Sequence, residues 1–573
     1  MKSFLSSCRK NLSAVRSLLA VRLRGIWSRL RRAEFSERIR NSLLALIFVL
    51  FMVSLTYLGN MLFTRFLQIP LLGRFLMLQT LSFIFLSFFI LLVFSSLVTG
   101  LGAGYMSSDL DGLFSSPIDS TAVFWAKLLE ATFHSTWMVL IFGYPILVSY
   151  GYTAGAPWYF YLLAFLIMFP FISIPATLGF FLVVALLYWV PIKRIRSVIV
   201  GVAITFGLLL IYILRLFSPQ ILVEPEIARQ LFFRFLGDFE IARITGLPSY
   251  HAAYFLHGLT GSEANFLWGQ LFWLLGLTGG TVLVCGWLGG RWYKAGWLHS
   301  REGEGHRRSA SPLGRLGKIF NFLPRPYNAL SRKETLLFAR ETTQWSQLLV
   351  LVGIVIVHVF NLSELTDAGP IITYLLYFGN IVLIGFVLTA ICVRFVFPSL
   401  SFEGKSFWII RSGPLSMRKL FFFKTTFYLI PLLLLGVALI FLTNWLLPVS
   451  PRLVGWSILF ISSLTVALTA GALAMGALFP EFEYEHFAEV VTGPGSVLYM
   501  LCGLFYVAGA TGATTLPLIA RVRTAAPEKW EDIFRTSGFE ATVVGLSAFS
   551  ILLGVIFFWI AARAIKNYNF TEA

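Results

Sequence analysis

Charge is scarce in this chain. Only 13% of its 573 residues are Asp, Glu, Lys or Arg, about half the share of an ordinary soluble domain. Cysteine is scarcer still. Cys8, Cys285, Cys392 and Cys502 form no CxxC pair, so neither a disulfide framework nor a thiolate zinc site is suggested. Nor is there an HExxH motif, a nucleophile elbow or a His/Cys cluster, so no metal site and no membrane-embedded hydrolase is indicated. A complete Walker-type loop is missing too. Gly404-Lys405-Ser406 matches the end of one, but the glycine required five residues earlier is Ser399. What precedes it reads as a membrane span, so no nucleotide site and no cofactor is expected on this chain. The first 40 residues lack an apolar core, so no cleavable signal peptide is expected.

What the chain has instead is long apolar runs. Mean hydropathy is +0.80 and 57% of residues are hydrophobic. Segments such as 42–63 and 541–563 pass about 20 residues almost without charge, the length that crosses a bilayer core of about 30 Å. In hydrocarbon the backbone must satisfy its own hydrogen bonds, so these runs become helices. Twelve spans are expected, near 42–64, 75–103, 122–150, 158–190, 197–217, 266–290, 346–362, 371–398, 419–447, 453–479, 495–512 and 541–564. Pro170 and Pro175 predict a kinked or broken helix in 158–190. The fold class is therefore an all-α polytopic membrane protein, with about twelve helices in two pseudo-symmetric six-helix halves.

The net charge of +18 is a topology marker. Residues 1–40 hold eleven Lys/Arg against two acids, and residues 291–341 hold eleven against four. Basic segments beside spans mark the cytoplasmic side and favour anionic lipid. No motif or aromatic platform accompanies them, so nucleic acid is not an expected partner. Four parts follow: a basic amphipathic segment over 1–41, with an interfacial helix at 11–33; a first membrane half over 42–290; a basic linker and elbow helix over 291–345; and a second half over 346–573. The N-terminus is expected in the cytoplasm. Loop 218–265 is the one long external loop, with a possible surface helix at 225–245.

The halves share a repeat. LFSSPIDSTAVFWAK at 113–127 aligns with IRSGPLSMRKLFFFK at 410–424 at an offset of 297, pairing Pro117 with Pro414, Phe124 with Phe421 and Lys127 with Lys424. In each half this loop links the second span to the third. Short helices carrying Leu110, Leu113 and Phe114, or Phe407, Trp408 and Ile410, could seat in a partner's groove. Asp109, Asp111, Glu403, Lys405 and Arg411 could form rim pairs around them, and Pro117 and Pro414 would end each helix. The plainer reading is a connecting loop on the headgroups. Lys127, Glu130 and His134 share a helix face, which suits a proton relay or polar substrate. The plainer reading there is a headgroup-level lysine paired with Glu130. Glu481, Glu483, Glu485 and Glu489 do not all converge on a helix, and read as an acidic loop rather than a cation site.

These loops, with LSRKETLLFARETTQWSQLLVL at 330–351 and ALFPEFEYEHFAEVVTGPGSVLYM at 477–500, resemble the coupling and elbow regions of ABC-2-type exporter permeases in their long, fused bacterial form. The resemblance covers most of 100–190 and 330–510. It implies the membrane-spanning permease subunit of an inner-membrane exporter. A separate ATP-binding subunit, in two copies, would carry Mg-ATP and dock at the coupling residues Leu110, Leu113, Phe114, Pro117, Glu403, Phe407, Trp408, Ile410, Arg411 and Pro414. The alternatives are an ion-coupled secondary transporter and a membrane enzyme using the Lys127/Glu130/His134 face.

Overall fold

The computed structural model describes residues 35–68, 73–105, 107, 109–189, 246–261, 264–302, 326–340, 370–413, 416–447, 449–482, 487–522 and 538–566, with isolated positions between them. Every regular element among them is helical. Nine described helices are long and apolar enough to cross a membrane, or ten if the bent pair Ser120–Trp137 and Val139–Thr153 is one span. These ten coincide with ten of the twelve expected spans. The other two, 197–217 and 346–362, lie almost wholly outside the described residues, as do the segment 11–33 and the surface helix expected at 225–245. The chain is a polytopic helical membrane protein, and the expected twelve spans reduce to ten among the described residues.

The chain divides into two compact units, residues 1–216 with 232–309, and residues 217–231 with 310–573. In the first, α1 is Phe35–Leu67, α2 Gly73–Tyr105, α3 Leu110–Ser115, α4 Ser120–Thr153, α5 Trp158–Trp189, α6 Pro248–Gly258 and α7 Ala264–Glu302. Most of α2 is buried, against α4, α5 and α6. Gly179 lets α5 close on it: a Cβ there would stand 2.4 Å from the Val93 carbonyl oxygen. Small residues serve helix contacts in membranes because apolar side chains gain little by leaving lipid. Hydroxyls add links, Ser96 to Ser135 at 2.9 Å and Ser149 to the Thr56 carbonyl at 2.6 Å. Outward-facing Leu46, Val53, Tyr57 and Leu58 stay exposed on α1, as lipid-facing side chains do.

Two local expectations are corrected here. Of the kink or break expected at Pro170 and Pro175, the break does not occur: both prolines sit inside one continuous helix. The sharp bend, 51°, falls in α4 after Trp137. There Thr132, Ser135 and Thr136 bond back to carbonyls three or four residues earlier, a pattern that bends helices. Within the loop expected over 218–265, α6 is a packed helix with Ala252, Ala253, Phe255 and Leu256 buried.

In the second unit, α8 is Tyr327–Arg340 and α9 Pro370–Ile391. A π-turn at Cys392–Val396 and 3-10 turns at Phe397–Ser399 and Ser401–Ser406 follow, then α10 Phe407–Ser412, α11 Met417–Leu446, α12 Pro451–Leu478, α13 Phe487–Thr492, α14 Pro494–Val522 and α15 Phe539–Lys566. Helix α12 is central, packed on α15, α11, α14 and α9. Gly476 of α12 meets the turn after α9, where a Cβ would lie 2.3 Å from the Phe397 carbonyl oxygen.

Candidate functional site

The 297-residue repeat is also a repeat of local structure. Helix α3 begins at Leu110 and α10 at Phe407; both run six residues and end in extended caps, Ser116 and Gly413. The next helices are capped at the same offset. Asp119 accepts from the Thr121 amide, and Ser416 from the Lys419 amide. Phe124 and Phe421 are both buried, and so are Lys127 and Lys424. Each lysine is the eighth residue of its span, about 12 Å along at 1.5 Å per residue. A lone ammonium at such a place is costly and needs a partner.

In the first unit the partners come from the chain just before α3. Lys127 Nζ donates to both Asp109 carboxylate oxygens at 2.8 Å and to Ser107 Oγ at 3.0 Å. It also pairs with Glu130 at 3.1 Å, one turn along α4. Ser107 itself hydrogen-bonds Asp109. The residue that caps α3, Asp109, is thereby tied to α4. Below that tie Leu110 enters a core with Val123, Phe124, Leu128, Phe180 and Tyr293. Phe114 stands 4.7 Å from the Trp297 ring and 5.7 Å from the Tyr293 ring, closing the other side.

In the second unit the same lysine takes different acids. Lys424 Nζ donates to Glu334 at 2.7 Å and to the Ser399 carbonyl at 3.0 Å, and stands 2.9 Å from Glu403 Oε1. Lys333 bonds the other oxygen of Glu403, and Tyr428 donates to Glu334 at 2.8 Å. Two lysines and two glutamates balance in charge. They join α8, α11 and the turn before α10 in one buried network, where paired charges are well supported and unpaired ones are not. Gly404 turns the chain with φ +55° and ψ −149°, a conformation open essentially to glycine. Phe407 is then fully buried and stacks on Phe482 at 5.3 Å.

Not every expected coupling residue faces outward. Leu110 and Phe407 are fully buried and hold their helices down. Leu113, Phe114 and Ile410 pack partly against the same cores. Asp109 and Glu403 are not rim residues: they bind the buried lysines. A helix of six residues has too little length for its sequence to show which side is inside. Trp408, Ile409 and Arg411 are exposed in the second unit, Asp111 and Pro117 in the first. Ile409 was not among the expected residues, and Pro414 lies outside the described ones. Lys127 and Glu130 do pair, while His134 lies half-buried a turn further on, its ring 5.9 Å from that of Phe133. Glu334, the residue that completes the second network, was missed because it lies 90 residues from Lys424 in sequence.

A family model described as "Putative ATP-binding cassette" matches residues 33–570. No curated protein and no solved structure matches. This match corrects four expectations. The family is not that of ABC-2-type exporter permeases, so the assignment as an exporter permease falls with the resemblance. The expectations of no ATPase character and of Mg-ATP confined to another subunit fall as well, since the family is described by ATP binding. The described residues nevertheless do not fit a nucleotide. Gly404-Lys405-Ser406 lies in a 3-10 turn after a π-turn, with no strand before it. Helix α10, the next helix, has only six residues. Among the described residues no three His, Cys, Asp or Glu side chains gather as metal ligands. No step through ATP is therefore drawn on these side chains. With nearly its whole length matched, the chain belongs to the ATP-binding cassette family so described.

Proposed function

We propose that this protein is a membrane-embedded member of an ATP-binding cassette transport system, and that the segments around α3 and α10 are where a soluble partner engages it. One observation carries the reading: at matched positions of the repeat, a buried lysine locks the approach to a short helix onto the span that follows. A push on either short helix would be delivered to α4 or α11 as to one body. The charge excess of segments 1–40 and 291–341 supports a cytoplasmic setting for both loops, in a bacterial inner membrane.

The two surfaces differ chemically. Helix α10 offers Trp408 and Ile409, 63% and 55% exposed, beside exposed Arg411. At the equivalent places α3 offers exposed Asp111, exposed Gly112 and half-buried Phe114. The apolar pair suits a groove in a protein, and the finer reading of that protein is a separate ATP-binding subunit. The acidic face of α3 would meet it with a different, weaker contact.

The test is photo-capture in native membranes. A benzophenone amino acid replaces Trp408, and a radioactive photoreactive ATP marks nucleotide-binding chains. Capture of a soluble, ATP-labelled protein at 408, lost on Ile409→Asp, supports the reading. Attachment to lipid alone sinks it.

A further inference from the structure

Helix α7 has two faces. Inward, it lies so close to α4 that a Cβ at Gly289 would stand 2.4 Å from the Phe124 ring, and Tyr293 is fully buried. Outward, Leu283, Trp287, Arg291, Lys294 and Leu298 are all exposed and recur every three or four residues, which puts them on one stripe. The stripe carries its own depth scale. Trp268 and Trp287 are 64% and 58% exposed, and the 19 residues from one to the other cover about 28 Å at 1.5 Å per residue. That matches a hydrocarbon core of about 30 Å, with a tryptophan at each boundary. Arg291 and Lys294 come about one and two turns past Trp287, at headgroup level.

These two cations are held in place without being used up inside the protein. The Arg291 guanidinium lies 4.2 Å from the centre of the Trp287 ring, a cation–π contact that restrains the side chain and leaves its N–H fork open. Neither Arg291 nor Lys294 has an acid or a hydrogen-bond partner among the described residues. The backbone beneath them is fixed as well. Trp292 stacks on Tyr188 at 5.2 Å and on Phe181 at 5.8 Å, and exposed Trp189 meets it edge-on at 6.2 Å. Helix α7 is thereby locked to α5 at the level of the two cations.

We propose that the outer face of α7 binds an anionic phospholipid, its phosphate on Arg291 and Lys294 and an acyl chain along Leu283, Val284 and Trp287. An arginine fork beside a lysine matches a phosphodiester in charge and in donors, and basic sites on membrane helices at this level suit anionic head groups. A choline lipid meets the same apolar stripe, but its own ammonium offsets its phosphate. The site is independent of the docking surface on α10, and either can fail alone.

The experiment uses the full-length protein in phosphatidylcholine nanodiscs doped with phosphatidylglycerol that carries a diazirine on its acyl chain, read by peptide mass spectrometry. Phosphatidylcholine with the same diazirine chain is the zwitterionic control. Labelling by the glycerol lipid is expected on residues 283–298, competed by plain phosphatidylglycerol and about tenfold stronger than by the choline lipid. Arg291→Gln combined with Lys294→Gln should bring it down to the choline-lipid level. Both side chains are exposed, so this variant should melt within about 2 °C of wild type. Arg418→Gln combined with Lys419→Gln removes the same charge from α11 and should leave labelling of 283–298 unchanged. Equal labelling by the two lipids, as a non-selective lipid shell would give, overturns the proposal. So does labelling unchanged in the Arg291→Gln, Lys294→Gln protein, or an equal loss in the α11 variant.

Discussion

Replacing Lys424 with Met is the most demanding perturbation of the second unit. The wild-type network balances Lys333 and Lys424 against Glu334 and Glu403. Lys424→Met leaves two carboxylates, 4% and 3% exposed, with Lys333 as the remaining lysine of the network. Removing one partner of a buried pair costs about 3–5 kcal/mol, because the other charge stays behind. At about 2 °C per kcal/mol for a unit of this size, the melting temperature falls by about 6–10 °C. The assay is thermal unfolding in detergent followed by fluorescence-detected size exclusion, at one fixed heating rate. Adding Glu334→Gln restores the balance, Lys333 against Glu403, and keeps an acceptor for Tyr428. The double variant should therefore recover most of the loss. A single variant that melts within about 2 °C of wild type, or a double variant that melts lower than the single, refutes the reasoning.

Three further outcomes follow from the same geometry. Lys127→Met should lower the melting temperature, because it removes the lysine from Glu130, 6% exposed, as well as from Asp109, 28% exposed; melting at the wild-type temperature would contradict this. Gly404→Ala should cost about 1–3 kcal/mol from its positive φ alone, since space at that position is open, and a melt at the wild-type temperature would show that the turn can relax. Phe407→Ala should cost about 3–5 kcal/mol and Trp408→Ala within about 0.5 kcal/mol, although the second removes the larger exposed ring. If their melting curves coincide, the inward and outward assignments on α10 are mistaken.

The spans were legible because a run of about 20 apolar residues has few other physical outcomes. The repeat was legible in the pairing of Phe124 with Phe421 and Lys127 with Lys424. Its meaning was not. The lysines keep their place, and the Lys127–Glu130 pair was legible, but the other acids come from 18 residues upstream in one unit and from 21 and 90 in the other, so no shared spacing announces them. The helix through Pro170 and Pro175 is continuous, because proline content says nothing of the neighbours that support a helix. Helix α6 reads as loop in sequence, since His251, Ser249 and Pro248 dilute an apolar face that only packing against α2 and α7 reveals. Family membership rests on the pattern of the whole chain, which no single motif carried.

The central claim is that α10 and α11 move as one body. Spin labels at Ser412 and Leu434 measure it directly; Ser412 is exposed and Leu434 is 68% exposed. They span more than 17 residues of α11, roughly 26 Å at 1.5 Å per residue. Pulsed electron resonance on membranes with and without ATP should give one narrow distance, unchanged, and a broadened one in Lys424→Met. A wild-type distance that splits, or shifts by about a helical turn of 5 Å, would contradict the account.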